Sequence, residues 1–170
     1  SSRGSSVKSL IQLSPDEEIS TIVTMKDYTD QQYIFMSTAN GTVKKCKTTE
    51  FANAKTRGVI GIKLHDGDHL VSAMLTSGND DAMLITRKGQ ALRVSEESVR
   101  PMGRASSGVT GIRLASGDEV AAAISVEQNK DALVITEKGY GKRVGFDEFG
   151  KHGRGTGGQK IFGNIDGKGE

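Results

Sequence analysis

A repeat of about 50 residues runs through this 170-residue chain and limits the folds open to it. Residues 56–64 read TRGVIGIKL, and residues 106–114 read SSGVTGIRL, 50 positions later. Each copy leads into a Gly-Asp pair that ends at Asp68 or Asp118. The spacing predicts repeats at about 3–55, 56–105 and 106–155, with the start of a further one at 156–170.

A second block of apolar residues recurs at 33–38, 82–86 and 132–136. A turn glycine follows each copy: Gly41, Gly89 and Gly139. Short β-branched runs bounded by Gly, Asn and Asp predict strands, and Asn40-Gly41 is typical of a type I′ hairpin turn. Four strands in each repeat predict an all-β, propeller-like fold. We expect an arc of sheets whose open edges invite association between chains.

The charges follow the repeat, although the formal net charge is only +2. Segments 41–63, 87–113 and 138–160 each carry six Lys or Arg and at most two acids, whereas 64–82 has four Asp and no basic residue. Equivalent positions of equivalent repeats lie on the same rim, so the basic segments predict a continuous stripe. Such a stripe suits duplex DNA, because phosphate neutralisation supplies most of the affinity. The alternative is an ordinary solvated face.

Twelve basic residues on this stripe are candidates for DNA binding: Lys44, Lys45, Lys55, Arg57, Arg93, Arg100, Arg104, Lys142, Arg143, Lys151, Arg154 and Lys160. One predicted row comes from loops near the glycine-rich turns: Arg57, Arg104 and Arg154. The other lies on the strand after each hairpin turn: Lys45, Arg93 and Arg143. The two rows would follow the two phosphate strands of one groove.

Other kinds of site are weakly indicated. Residues 153–158 formally match a dinucleotide fingerprint, which should open a helix, yet a strand is expected next. His65 and His69 flank an Asp-Gly-Asp that suits either a metal site or, more simply, a turn. Cys46 is the single cysteine, which favours a reducing, intracellular location. We expect no cofactor, no metal, no membrane span and no catalytic constellation.

Three segments resemble the C-terminal domain of the gyrase A chain of DNA gyrase: 35–45 (FMSTANGTVKK), 108–114 (GVTGIRL) and 139–143 (GYGKR). The resemblance covers about 7–161, and the topoisomerase IV counterpart is a weaker match. It implies that residues 1–170 are part of a β-pinwheel, with about three four-stranded repeats that exchange strands and bend duplex DNA around the outer edge. It also implies a non-catalytic accessory domain of an ATP-dependent type II topoisomerase in the bacterial cytoplasm, at the nucleoid. The partners implied are duplex DNA, the remainder of gyrase A, and gyrase B.

The family carries a Gln-Arg-Arg-Gly-Gly-Lys-Gly box that this chain lacks, so we expect a middle portion of the domain. Looser counterparts of the box stand at 55–58, 103–108 and 153–158. Two alternatives stay open at this point. One is a topoisomerase IV C-terminal domain, and the other is a propeller-like scaffold that binds proteins through the acidic loops near Asp66 and Asp80.

Overall fold

A computed structural model describes Gly4 and residues 15–29, 31–54, 58–127 and 130–161. Within these residues the regular structure is made of strands and short 3-10 helices, without an α-helix. The strands are β1 (Tyr33–Thr38), β2 (Thr42–Lys47), β3 (Leu70–Thr76), β4 (Asp81–Thr86), β5 (Gln90–Ser95), β6 (Val109–Thr110), β7 (Val120–Val126), β8 (Asp131–Ile135), β9 (Gly141–Gly145) and β10 (Gln159–Lys160). The 3-10 helices are Thr48–Phe51, Glu96–Ser98 and Phe146–Glu148.

Three antiparallel hairpins carry the repeat: hairpin 1 (β1–β2), hairpin 2 (β4–β5) and hairpin 3 (β8–β9). Each ends in one of the three 3-10 helices. The Gly41 N–H donates to the Thr38 carbonyl oxygen at 3.1 Å, so Ala39 and Asn40 are the central residues of the first turn and the predicted type I′ turn centred on Asn40-Gly41 is wrong. Gly41, with a φ of 89°, occupies the positive-φ position after the turn, as in a three-residue hairpin loop. The registers are equivalent, since the cross-strand pairs Phe35–Lys45, Met83–Arg93 and Leu133–Arg143 recur at the same place.

Each of the first two hairpins is completed by strands from later in the chain. The first sheet has the order β3-β1-β2-β6, and the second has the order β10-β5-β4-β7. Hairpin 3 forms a sheet of two strands in the described part of the chain. The all-β prediction is therefore confirmed, with four-stranded sheets around hairpins 1 and 2. The predicted repeat boundaries stay a prediction, because the sheets draw on more than one repeat.

Two equivalent glycines, Gly108 and Gly158, let β6 approach hairpin 1 and β10 approach hairpin 2. Gly108 has a φ of 96°, and a Cβ there would lie 2.4 Å from the Val43 carbonyl oxygen. Gly158 has a φ of 79°, and its Cβ would lie 2.7 Å from the Ala91 carbonyl oxygen. Only glycine fits both the positive φ and the close backbone contact. Packing thus explains the glycine at 108 and 158, whereas a Cβ at Gly58 would meet open space.

The core consists of layers between consecutive hairpins. Phe35 and Val43 of hairpin 1 pack with Leu84 and Leu92 of hairpin 2 in one cluster. A second cluster places Met83 of hairpin 2 against residues of and around hairpin 3: Val144, Phe146, Phe149 and Ile161. A third layer packs residues 23 and 25 against the other face of β1. Several small layers agree with a chain in which aromatic residues make up only 5%.

Candidate nucleic-acid interface

Lys45, the member of the predicted strand row that lies on hairpin 1, is buried in the interior of the protein. The Lys45 side chain is only 5% exposed, and its Nζ donates to the carbonyl oxygen of Glu96 at 2.9 Å. The Glu96 carboxylate lies 3.6 Å from the same Nζ, and the Tyr33 ring centroid lies 4.8 Å from it. Lys45 therefore joins hairpin 1 to the 3-10 helix that follows hairpin 2.

Arg93 makes the equivalent contact one repeat later. Its Nη1 donates to the carbonyl oxygen of Phe146 at 2.9 Å, and its Nε donates to Asp81 at 3.0 Å. Phe146 begins the third 3-10 helix, as Glu96 begins the second. Arg143, the third member, has an ion pair with Asp131 at 2.9 Å and a side chain that is 80% exposed. The predicted strand row of Lys45, Arg93 and Arg143 is thus not one surface row, because its first two members join consecutive hairpins.

Lys44 is also buried, with no exposed surface. Its ammonium donates to three carbonyl oxygens, those of Gly61 at 2.8 Å, Arg104 at 2.5 Å and Ser106 at 2.9 Å. Burial lowers the pKa of Lys44, while the neighbouring Cys46 thiol partly opposes that shift. This geometry removes Lys44 and Lys45 from the candidate interface. Lys44 instead fixes the loop that carries Arg104.

The two loop arginines in the described residues are held in the same way. Arg104 donates from Nη1 to the carbonyl oxygen of Ile60 at 3.2 Å, and Arg154 donates from Nη1 to that of Thr110 at 3.0 Å. A second bond joins Arg154 Nε to the carbonyl oxygen of Ser98 at 3.0 Å. A guanidinium has five N–H donors, so a fixed Arg154 keeps donors for an anion. The anchoring carbonyls are neutral and leave its charge uncompensated.

Two further cations lie beside these loops and were not among the twelve candidates. Lys63 donates its backbone N–H to Ser106 at 3.0 Å, and Arg113 donates its backbone N–H to Thr156 at 2.9 Å. Both residues are exposed. Their side chains have no hydrogen-bond or ion-pair partner within the described residues. The sequence signal was available, because Lys63 and Arg113 stand 50 positions apart in the repeated motif.

Four other candidates are exposed. Arg100 lines one groove with Arg154, and its side chain has no polar partner within the part of the chain that the structure describes. Lys160 is exposed on β10, beside Gln90 in the sheet. Lys151 pairs with Asp81 at 3.0 Å, and Lys142 donates to the carbonyl oxygen of Ile161 at 2.6 Å.

The last two candidates, Lys55 and Arg57, lie outside the described residues. Alignment of Gly58, Gly108 and Gly158, which stand 50 positions apart, places Arg57 opposite Ser107 and Gly157. The position equivalent to Arg104 and Arg154 is then Ala54. The predicted loop row therefore has two equivalent arginines, at 104 and 154. We use the name junction surface for these arginines and their exposed cationic neighbours: Lys63, Arg100, Arg104, Arg113, Arg154 and Lys160.

The alternative sites have structural roles. Asp68 accepts the backbone N–H groups of Asn40 and His69, both at 2.9 Å, and so caps hairpin 1. Residues 153–158 lead into β10 and not into a helix. No group of three His, Cys, Asp or Glu gathers in the described residues. Over the same residues, no helix has the length and apolar character needed to cross a membrane.

Comparisons with known proteins agree with this architecture. A family model described as the DNA gyrase C-terminal domain, a β-propeller, matches residues 32–77, 80–127 and 130–170. The gyrase A chain of Treponema pallidum DNA gyrase is 54% identical over 105 residues, which cover 62% of this chain and 13% of that protein. The chain thus spans about an eighth of the length of such curated relatives.

Two solved structures superpose on nearly the whole chain. A DNA gyrase A C-terminal domain matches with a TM-score of 0.84 and 33% identity, covering 94% of this chain and 54% of that one. The C-terminal domain of a DNA topoisomerase IV matches with a TM-score of 0.85 and 29% identity, covering 93% and 50%. Because the family model matches most of the residues, this chain belongs to the DNA gyrase C-terminal domain family of β-propellers.

Proposed function

We propose that the chain binds duplex DNA through the junction surface and bends it, as a non-catalytic accessory domain of a type II topoisomerase. It would act together with the remainder of gyrase A and with gyrase B, at the bacterial nucleoid. The proposal rests on the family to which the chain belongs and on the distribution of uncompensated cations.

One observation carries the proposal. A pair of cations occurs at the same place beside each of two loops, with Lys63 and Arg104 beside one, and Arg113 and Arg154 beside the other. Among the described residues, three of the four have no carboxylate within ion-pair distance, and Arg104 has only Glu50 at 3.9 Å. In contrast, each cation of the predicted strand row lies within ion-pair distance of a carboxylate: Lys45 of Glu96, Arg93 of Asp81 and Arg143 of Asp131. Repetition of uncompensated charge at a fixed place suits a regular polyanion better than a small ligand.

The fixed arginines add to this argument. A guanidinium already held by backbone carbonyls loses less side-chain entropy when it meets a phosphate than a free one does. Contacts of this kind position a duplex without reading its sequence. A duplex that reaches both loops gains phosphate contacts that can offset the elastic cost of a bend, on the order of 1–6 kcal/mol.

Fluorescence anisotropy of a labelled duplex, titrated at several salt concentrations, tests the proposal. If about four phosphates are contacted, the slope of log K against log salt is about −3.6, and affinity falls by roughly 10² between about 50 and 200 mM salt. The test variant replaces four residues by alanine: Lys63, Arg104, Arg113 and Arg154. It should lose most of this slope, with about one unit lost for each contact removed.

A matched variant controls for net charge. It replaces four exposed cations outside the junction surface by alanine: Arg87, Lys88, Lys130 and Lys138. This control should keep the wild-type slope. Circular dichroism should show that both variants are folded at the assay temperature, although the loss of the Arg104 and Arg154 hydrogen bonds to backbone carbonyls lowers the melting temperature of the junction variant. Equal DNA affinity and slope in the wild type and the junction variant would contradict the proposal.

A further inference from the structure

The two loop arginines of the junction surface share one backbone anchor but differ in their second partner. Arg104 and Arg154 stand 50 positions apart, and so do Ile60 and Thr110, whose carbonyl oxygens accept from their Nη1 atoms. Arg154 Nε also donates to the carbonyl oxygen of Ser98 at 3.0 Å. Arg104 Nε, in contrast, is buried and has no hydrogen-bond partner within the described residues. The two sites therefore differ at one nitrogen of the guanidinium.

A carboxylate lies near that nitrogen of Arg104. Glu50 Oε2 is 3.9 Å from Arg104 Nε, which is within ion-pair distance but too far for a hydrogen bond. Glu50 is the third residue of the first 3-10 helix, and Ser98 is the third residue of the second. Since the two positions are equivalent, the Arg104 site has an acid where the Arg154 site has a neutral residue.

The acid accompanies a buried cation that the Arg154 site lacks. Lys44 is fully buried, and its ammonium donates to the Arg104 carbonyl oxygen at 2.5 Å. The equivalent position on hairpin 2 is Leu92. Burial lowers the pKa of Lys44, the Arg104 charge acts in the same direction, and the Glu50 carboxylate opposes them. Glu50 therefore offsets the repulsion between two neighbouring cations, a repulsion that Leu92 does not create.

The Arg154 site also carries an additional arginine. Arg100 lines one groove with Arg154, and the position equivalent to Arg100, two residues after Glu50, is Ala52. Glu97 lines the same groove but makes no ion pair with any residue that the structure describes. Arg154 is exposed, whereas the Arg104 side chain is 33% exposed. Available positive charge therefore rises from the Arg104 site to the Arg154 site.

We propose that Glu50 weakens the phosphate contact of Arg104, so that the junction surface binds a duplex weakly at Arg104 and tightly at Arg154. This inference rests on the proposed function. A phosphate that approaches Arg104 is repelled by the Glu50 carboxylate and shares the guanidinium with it. At Arg154 the guanidinium is held by neutral carbonyl groups, so its full charge is available to the phosphate. Glu50 is thus a residue that sets DNA affinity without contacting DNA through a cation of its own.

Fluorescence anisotropy of a labelled duplex at about 50 mM salt tests this inference with variants of one charge each. Glu50→Gln keeps the shape of the side chain and should raise affinity roughly 2–5-fold, the range expected for an exposed charge pair. Ser98→Glu places an acid beside Arg154 and should lower affinity by a similar factor. Circular dichroism shows whether each variant is folded, and Ser98→Glu tests the inference independently of the stability of Glu50→Gln.

Glu119→Gln is the matched control. Glu119 is 40% exposed and pairs with Arg87, much as Glu50 is 43% exposed and faces Arg104. It directly precedes β7, at the edge of the second sheet opposite to β10. This control removes the same charge far from the junction surface and should leave DNA affinity unchanged.

The deciding comparison is made in the Arg104→Ala background. Glu50→Gln should not raise affinity there, because the contact that Glu50 weakens has already been removed. An equal affinity of the wild type and Glu50→Gln would overturn the inference while leaving the proposed function intact. An equal rise with Glu119→Gln, or in the Arg104→Ala background, would also overturn it, since net charge alone would then explain the effect. A wild type without salt-dependent DNA binding would overturn the proposed function, and this inference with it.

Discussion

Glu96 is the residue whose replacement we expect to weaken the fold most sharply. It is fully buried at the start of the second 3-10 helix. Its carboxylate accepts hydrogen bonds from Thr76 Oγ1 and from the Asp80 backbone N–H, both at 2.9 Å, and lies 3.6 Å from Lys45 Nζ. The change Glu96→Ala removes the carboxylate that pairs with the buried ammonium and leaves two further donors without their acceptor.

The magnitude follows from this burial. Removal of one partner of a buried ion pair typically costs about 3–5 kcal/mol, because the other charge stays in the interior uncompensated. For a chain of this size, each kcal/mol lowers the melting temperature by about 2–4 °C, which gives a fall of roughly 6–20 °C. Glu96→Gln keeps the shape and one acceptor but also leaves the Lys45 ammonium without a carboxylate, so its cost should lie at the lower end of the same range, about 3 kcal/mol.

Urea unfolding followed by circular dichroism measures this cost. The control is Glu119→Ala, which removes an exposed pair with Arg87 whose side chains are 40% and 54% exposed. Such pairs contribute about 0–1 kcal/mol. Equal unfolding free energies for Glu96→Ala and Glu119→Ala would refute the idea that the Lys45–Glu96 contact holds consecutive hairpins together.

Further expectations concern Gly108 and Cys46. Gly108→Ala should cost about 2–5 kcal/mol in urea unfolding, from positive-φ strain and the Val43 contact, whereas Gly58→Ala, with open space around its Cβ, should stay within about ±0.5 kcal/mol. Cys46 is buried and burial raises its pKa, so the native protein should react slowly with a thiol reagent at pH 8 and rapidly once it is unfolded. Because the Cys46 pKa is higher in the folded than in the unfolded state, its contribution to the free energy of unfolding is fully present below the unfolded pKa. That contribution is lost as the pH rises from the unfolded pKa through the folded pKa. The stability advantage of wild type over Cys46→Ala should therefore shrink as pH rises above about 8.5.

The repeat was enough to predict the hairpins, because turn glycines and apolar runs recur at one spacing. It did not predict which strands complete each sheet. β3 and β6 reach hairpin 1 from positions well beyond it, and an offset of 50 residues does not say which edge a strand will join. Tertiary pairing of this kind is not encoded in a local pattern.

The spacing of basic residues along the sequence predicted a surface position for Lys44 and Lys45, and this prediction was wrong. Lys44 and Lys45 point to opposite faces of β2, because successive side chains on a strand alternate. Two adjacent lysines in a sequence are usually taken to indicate an exposed strand. Both faces of β2 are covered, so both side chains are buried and bind backbone carbonyls. Arg104 and Arg154 were predicted in loops and do lie there. Lys63 and Arg113 were not among the predicted DNA-binding residues, and their backbone hydrogen bonds to the same loops identify them as neighbours of these arginines.

Energy transfer between dyes at the two ends of a short duplex measures whether the junction surface bends DNA. Addition of the chain at low salt should raise the transfer efficiency in step with binding, and the four-alanine junction variant should produce little change at the same concentration. Bending should not depend on base sequence beyond the flexibility of the duplex itself. Binding detected by anisotropy with no change in the end-to-end distance, or equal transfer efficiency with the junction variant, would contradict bending of DNA by the junction surface.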